Sequence, residues 1–197
     1  VDFSSQTSFQ SNYRIYEEPI DGDFSPLDIV SIINDYGRDW NKVSVWTQEF
    51  RLSSVENDPS RFSWQIGLFG FMKDDPVKQG TYFGENGDLY GSVPYMTLVT
   101  TNSGKNTGYA LFGQGTYNLS DRLDVTVGLR FDRERRELTG RNEMIMDNMP
   151  PMIVQGDTTA SQSFKAFSPK AVLSYHFNPE KMLFLSYSRG FRAGGIS

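Results

Sequence analysis

Arg130, Asp132, Glu134 and Arg136 stand two residues apart with opposite charges interspersed. On an extended chain they share one side, a polar wall that a charged ligand could pass; the plainer reading is a ladder of ion pairs across neighbouring strands. Farther on, "MIMDNMPPM" sets Met144, Met146, Met149 and Met152 within nine residues. Thioether sulfur is a soft ligand suited to Cu(I), and equally an adaptable apolar surface for a ligand or a neighbouring loop. Asp21, Asp23 and Asp28 offer oxygen ligands for calcium, without the ordered series of an EF-hand. No catalytic set emerges. His176 is the only histidine and there is no cysteine, which removes thiol catalysis, Cys-ligated zinc and disulfides together. Carboxylates are plentiful, but linear spacing fixes no pair at glycosidase separation. "GDLYG" and "NSGKN" lack the strand-to-helix setting of a phosphate loop. The expectation is a chain without catalytic residues, resident metal or cofactor.

The elements that must position these groups are strands. In "LDVTVGLRFDRERRE" (123–137), Leu123, Val125, Val127, Leu129 and Phe131 share one parity, and Asp124, Thr126, Gly128, Arg130 and Asp132 the other. That is the period of a strand with unlike faces. The apolar row stops at Phe131, and Arg133 and Arg135 continue on its side, so whatever the row touches has an edge. At about 3.3 Å per residue and a tilt near 40°, nine residues rise roughly 23 Å, close to the apolar band about 25 Å tall on outer-membrane barrels. A soluble core has a similar thickness, so length alone does not decide.

Similar rows recur. Val1, Phe3, Phe9 and Tyr13 mark a first strand; Trp46, Phe50 and Leu52 a second; Phe62, Trp64, Ile66 and Leu68 a third. Tyr109, Leu111 and Tyr117 lie together with Gly113 and Gly115 in the fourth, and the row from Leu123 is the fifth. Phe167, Ala171, Leu173, Tyr175 and Phe177 mark the sixth, and Leu183, Leu185, Tyr187 and Phe191 the seventh. The spacing predicts an all-β antiparallel meander of about seven long strands. Composition agrees, with aromatics at 14% and 18 glycines among 197 residues. Mean hydropathy is −0.47, and no stretch approaches the roughly 18 apolar residues of a membrane helix. A barrel is compatible with both, because only every second residue need be apolar. A net charge of −5 without a basic cluster argues against nucleic acid as partner.

The connections separate into two kinds. "ENDPSR" (56–61), "NLSDR" (118–122) and "NPEK" (178–181) are short and turn-forming. Those at about 17–41, 73–107 and 138–164 read as long loops. In a meander, successive connections alternate between the two ends, so all short turns fall at one end and all long loops at the other. Bacterial barrels sort them this way, with short turns on the periplasmic side. Tyr117 and Tyr175 near short turns and Tyr109 near a long one are expected in the interfacial aromatic girdles. In the first long loop, Ser25 before Pro26, followed by Leu27, Ile29, Val30, Ile32 and Ile33, predicts a short amphipathic helix.

With these features in view, "YALFGQGTYNLSDRLDVTVGLRFDRERRELTG" (109–140), "FSPKAVLSYHFNPEKMLFLSYSRGFRAGGIS" (167–197), "WTQEFRLSS" (46–54) and "FSWQIGLFGF" (62–71) resemble the barrel of TonB-dependent outer-membrane receptors. "GFRAGG" after a Tyr-Ser strand is the sharpest piece. The resemblance implies a transmembrane barrel of roughly 22 strands, of which residues 1–197 would be an interior portion. It implies an N-terminal plug that contacts the TonB complex and is absent from this chain, and import of a scarce ligand such as a ferric siderophore or other iron complex. The expected location is the bacterial outer membrane, with lipid, the plug and the other strands as partners. A severed sheet with an exposed apolar face would also be prone to self-association. Two other classes compete: a barrel enzyme of lipase or protease type using His176, and a soluble β-rich binding or adhesion module with a closed core between two sheets.

Overall fold

The computed structural model describes residues 1–37, 42–55 and 60–194. Nine strands lie in chain order: β1 (Asp2–Tyr13), β2 (Ile20–Asp21), β3 (Val30–Ile33), β4 (Lys42–Ser53), β5 (Phe62–Phe83), β6 (Met96–Ser120), β7 (Leu123–Met146), β8 (Met152–Asn178) and β9 (Lys181–Ser188). Seven of them form an antiparallel meander in the order β1-β4-β5-β6-β7-β8-β9; β3 lies against β5, and β2 against β3. The seven long strands are those the apolar rows predict.

Short connections gather at one end. Asp121 and Arg122 join β6 to β7, and Pro179 and Glu180 join β8 to β9. Each turn is held by a side chain: Arg122 N donates to Ser120 Oγ at 3.3 Å, and Glu180 N to Asn178 Oδ1 at 3.0 Å. In the third expected turn, residues 56–59 lie outside the described residues.

The other end departs from expectation. Residues 73–107 and 138–164 are mostly strand: β5 and β6 pair continuously out to Phe83↔Met96, and β7 and β8 out to Met144↔Met152. Only Gly84–Tyr95, with one 3₁₀ turn over Gly87–Tyr90, and residues 147–151 are loop. The period-2 signal vanishes there because it reports unlike surroundings on two faces, whereas backbone pairing needs no such difference. The helix expected after Ser25 is also absent. Val30–Ile33 instead pairs with Gly80–Phe83 as β3, a conformation that suits β-branched Val and Ile. Residues 38–41 of this connection lie outside the described residues.

A single sheet leaves little interior. Among the described residues only seven hydrophobics are buried, and Val30, Phe83 and Met96 form a small cluster at the far end of the long hairpins, with Met144 and Met146 packed against it. The apolar rows are open instead: Leu68 is 56% exposed, Leu111 57%, Val127 53% and Phe167 56%. These four rows lie on one face, hereafter the outer face, because the register sets Leu68, Leu111, Phe131 and Phe167 on one rung.

The belt crosses the rungs obliquely. Its upper limit is Phe9, Trp46 and Met72 on one rung, then Tyr109, Phe131 and Phe167, and finally Tyr187. Tyr187 is registered through Ala171, Val127 and Gly115 to Trp64, eight residues below Met72 on β5. Eight residues are about 27 Å along the strands, and the six gaps from β1 to β9 are about 29 Å across them. The strands are thus tilted by about 43° from the normal to the belt, against 35–45° from the axis for transmembrane barrel strands. A flat apolar slab crossing tilted strands would draw this staircase.

Candidate functional site: the charged inner wall

Residues of opposite parity form the inner face. The register places Arg51, Gly67, Phe112, Arg130 and Ser168 on one rung, and Glu49, Phe69, Ala110, Asp132 and Ala166 on the next. Small residues recur where large ones need room: a side chain at Gly67 would begin 2.3 Å from Phe112 Cζ, and one at Gly108 would begin 2.4 Å from Phe71 Cε1. Glycine therefore lets each phenyl ring lie flat over the neighbouring strand.

All four charged residues expected on this wall are there, but they pair along the strand. Arg130 Nη2 lies 2.8 Å from Asp132 Oδ1, and its Nε donates to the two Asp132 carboxylate oxygens at 2.9 and 3.1 Å. Arg136 Nε donates to Glu134 Oε1 at 2.6 Å, and its Nη1 to the Gly194 carbonyl at 2.8 Å. The cross-strand ladder is corrected because the rung partners of these residues are uncharged: Arg130 faces Phe112 and Ser168, and Glu134 faces Gly108 and Phe164. Same-face residues two apart on one strand are then the nearest opposite charges.

Two further pairs follow the same rule: Arg51 Nη2 to Glu49 Oε1 at 2.5 Å and Lys73 Nζ to Asp75 Oδ2 at 2.8 Å. These sites were not among the expected ones, although Glu49–Phe50–Arg51 shows the alternation that marks Arg130–Phe131–Asp132. Aromatic rings flank the wall, with the Arg130 guanidinium carbon 5.7 Å from the Phe69 ring and 5.8 Å from that of Phe112. Below Arg130, Lys170 Nζ reaches Gln114 Oε1 at 3.4 Å, and the Thr116 and Thr126 hydroxyls meet at 2.8 Å. The surface is polar and aromatic-studded, and its arginine charges are locally cancelled, whereas the Lys170 ammonium meets an amide oxygen. It can hold a ligand by stacking and hydrogen bonding, and each arginine is already matched by a carboxylate.

His176 Nε2 lies 2.7 Å from Asp124 Oδ2 on this face beside the short turns. Among the described residues no serine or threonine hydroxyl is hydrogen-bonded to its ring, so no hydrolytic triad is assembled there.

Three of the four methionines lie near one another, and the fourth stands apart at the turn. Met144 and Met146 pack on the Val30 cluster, Met152 stands opposite Met144 in register, and Met149 is 51% exposed at the turn. The aspartates of the first connection serve the backbone: Asp21 Oδ1 accepts from Asp23 N and Phe24 N, Asp23 from Ser25 N and Val30 N, and Asp28 Oδ2 from Glu85 N at 3.3 Å. No group of three or more His, Cys, Asp or Glu side chains suited to a metal forms among the described residues.

These bonds give the loop a pH dependence. The Ser25 side chain, then the Val30 N–H, hold the Asp23 carboxyl below its ordinary value of 3.8. A carboxyl depressed in the folded state contributes stability that is present above its unfolded value and lost as pH falls through the folded one. In an NMR titration, the Val30 amide resonance should hold steady from neutral pH down to the ordinary carboxylate range and move only below it. An Asp23→Asn variant should lack that acid step.

The family model described as "TonB dependent receptor-like, beta-barrel" matches residues 1–197. Among solved structures, the ferric yersiniabactin uptake receptor FyuA from Yersinia pestis superposes with a TM-score of 0.57 at 15% identity, over 92% of this chain and 24% of that one. At that identity the likeness shows the fold, and this chain spans about a quarter of that receptor's length. A meander with an oblique apolar belt, sorted turns and a charged inner wall is what such a barrel requires of any consecutive run of its strands, and the chain belongs to the TonB-dependent receptor β-barrel family.

Proposed function

We propose that the chain forms part of the transmembrane wall of a bacterial outer-membrane receptor that binds and imports a scarce ligand, most specifically a ferric siderophore or another iron complex. The observation that carries this reading is the exposed apolar belt, inclined to its strands as a bilayer-spanning barrel demands. Family membership supports receptor chemistry over hydrolysis, and FyuA, an uptake receptor for a ferric siderophore, supports the ligand class. The wall does no covalent chemistry. Arg130, Asp132, Glu134 and Arg136 line the ligand path, with Met149 and Met152 as contact surface at one hairpin tip. Energy coupling runs through a plug and the TonB complex, outside this stretch of chain. The exposed face argues against a soluble sandwich, which would place the same side chains between two sheets.

The test is uptake by cells carrying or lacking the complete receptor that contains this chain. Radiolabelled iron is offered as catecholate, hydroxamate and phenolate chelates and as haem. Loss of uptake of one complex on deletion, restored by the intact gene, is the expected result. Unchanged uptake of all of them would reject the ligand class.

A further inference from the structure

The outer face carries cations that the inner wall does not explain. One rung above Phe131 and Phe167, the register sets Arg133 directly opposite Lys165, with Gly70, Tyr109 and Gln48 completing the rung. Like charges directly opposite on neighbouring strands repel. Neither has an ion-pair partner among the described residues; Arg133 makes one long hydrogen bond, its Nη1 to the Tyr109 hydroxyl at 3.4 Å. On the next rung Arg135 is held by Glu137 at 3.3 Å, with its side chain 60% exposed. On the inner wall, by contrast, arginines sit within 2.8 Å of a carboxylate.

Two hollows lie along this line. A groove of 490 Å³ opens over Gly70, between Trp46 and Met72 on one side and Tyr109, Arg133 and Arg135 on the other. Below it an apolar furrow of 790 Å³ runs down the belt between Ile66, Leu111, Val127, Leu129 and Phe131. Gly113 opens it: a side chain there would meet only Ile66 Cγ2 at 3.4 Å and the Gln65 carbonyl oxygen at 3.6 Å, both ordinary van der Waals contacts. An apolar furrow whose lining stops at Phe131 and Phe167, one rung below the opposed Arg133 and Lys165, matches the shape and charge of an amphiphile with an anionic head.

We propose that this surface binds a lipid of the leaflet on the long-hairpin side whose phosphate-bearing head carries net negative charge, its phosphate between Arg133 and Lys165 and one acyl chain in the furrow at Gly113. The phosphate relieves the repulsion of the opposed cations, and the Tyr109 hydroxyl adds a donor. Tyr109, at the belt edge, sets the depth at which the head sits. The site rests on the membrane reading of the belt, and it asks more than a generic lipid annulus does, since it selects by head charge.

The complete receptor is reconstituted in phosphatidylcholine nanodiscs doped with diphosphoryl lipid A, and co-purifying lipids are counted by native mass spectrometry. Wild type should retain lipid A in preference to phosphatidylcholine. Replacing both cations, Arg133→Gln with Lys165→Gln, should weaken that retention about tenfold or more, as two interfacial cations of ordinary strength would. Gly113→Leu, which fills the furrow and keeps the cations, should weaken it too. Heat-modifiable gel mobility of the double variant, unchanged from wild type, shows that the barrel is intact. Equal retention by the double variant, or no preference for lipid A in wild type, overturns the lipid site and leaves the membrane reading standing. A receptor that fails to enter the discs overturns both.

Discussion

Val127→Arg is expected to destabilise the folded receptor by about 2–4 kcal/mol in a bilayer, the depth-dependent cost of a basic side chain near the middle of the hydrocarbon. Val127 is the central member of the row Leu123–Phe131 and is 53% exposed on the outer face. In water such a change would be nearly neutral or would improve solubility. The sign of the effect therefore reports the surroundings of the face, not its packing. Ser161→Arg, on the same face but five rungs higher and opposite Glu137, should cost close to nothing. Urea titration of the complete receptor in lipid vesicles measures both. Equal effects at the two positions would mean that no apolar slab covers Val127.

The second large effect is expected on the inner face. Arg130→Met should cost about 2 kcal/mol, because it removes a bidentate charge-assisted contact and a cation flanked by two rings, and strands Asp132 without a partner. The Asp132 side chain is 17% exposed, so the orphaned carboxylate is only partly rescued by water. Since Arg130 itself is 42% exposed, the loss falls short of that for a fully buried pair. Arg130→Lys keeps the charge but not the planar fork, and about half the loss should return. The double variant Arg130→Met with Asp132→Leu should be more stable than Arg130→Met alone, which a double-mutant cycle under the same urea titration will read. An additive result would show that the two side chains act independently.

Much of the architecture was legible in residue order. The parity of Leu123, Val125, Val127, Leu129 and Phe131 located a two-faced strand, and the abrupt change to Arg133 and Arg135 located the edge of what covers it. Short turns were legible from Asn178 and Ser120, whose side chains do cap the following backbone. The long hairpins were not. Residues 96–107 carry Thr, Ser, Asn and Gly on both faces, and a strand wetted alike on both sides writes no alternation into its sequence. Val30–Ile33 failed for the complementary reason: a short apolar run fits one helix turn or one strand, and only the free edge of β5 beside it decides.

The candidate wall divides in the same way. That Arg130, Asp132, Glu134 and Arg136 share a face follows from spacing alone, because the two-residue period is a property of the extended backbone. Which of them pair depends on what stands opposite on β6 and β8, and that is set by a register joining residues 18 to 38 positions apart. The same register puts Arg133 opposite Lys165, and no local pattern could announce that collision of like charges. By itself, then, the sequence determined the strands, their two faces and the height of the belt, since each arises from the geometry of one extended segment and its immediate neighbours. The obliquity of that belt, the pairing of the inner charges and the unmatched cations at its rim were decided only when distant segments came into register.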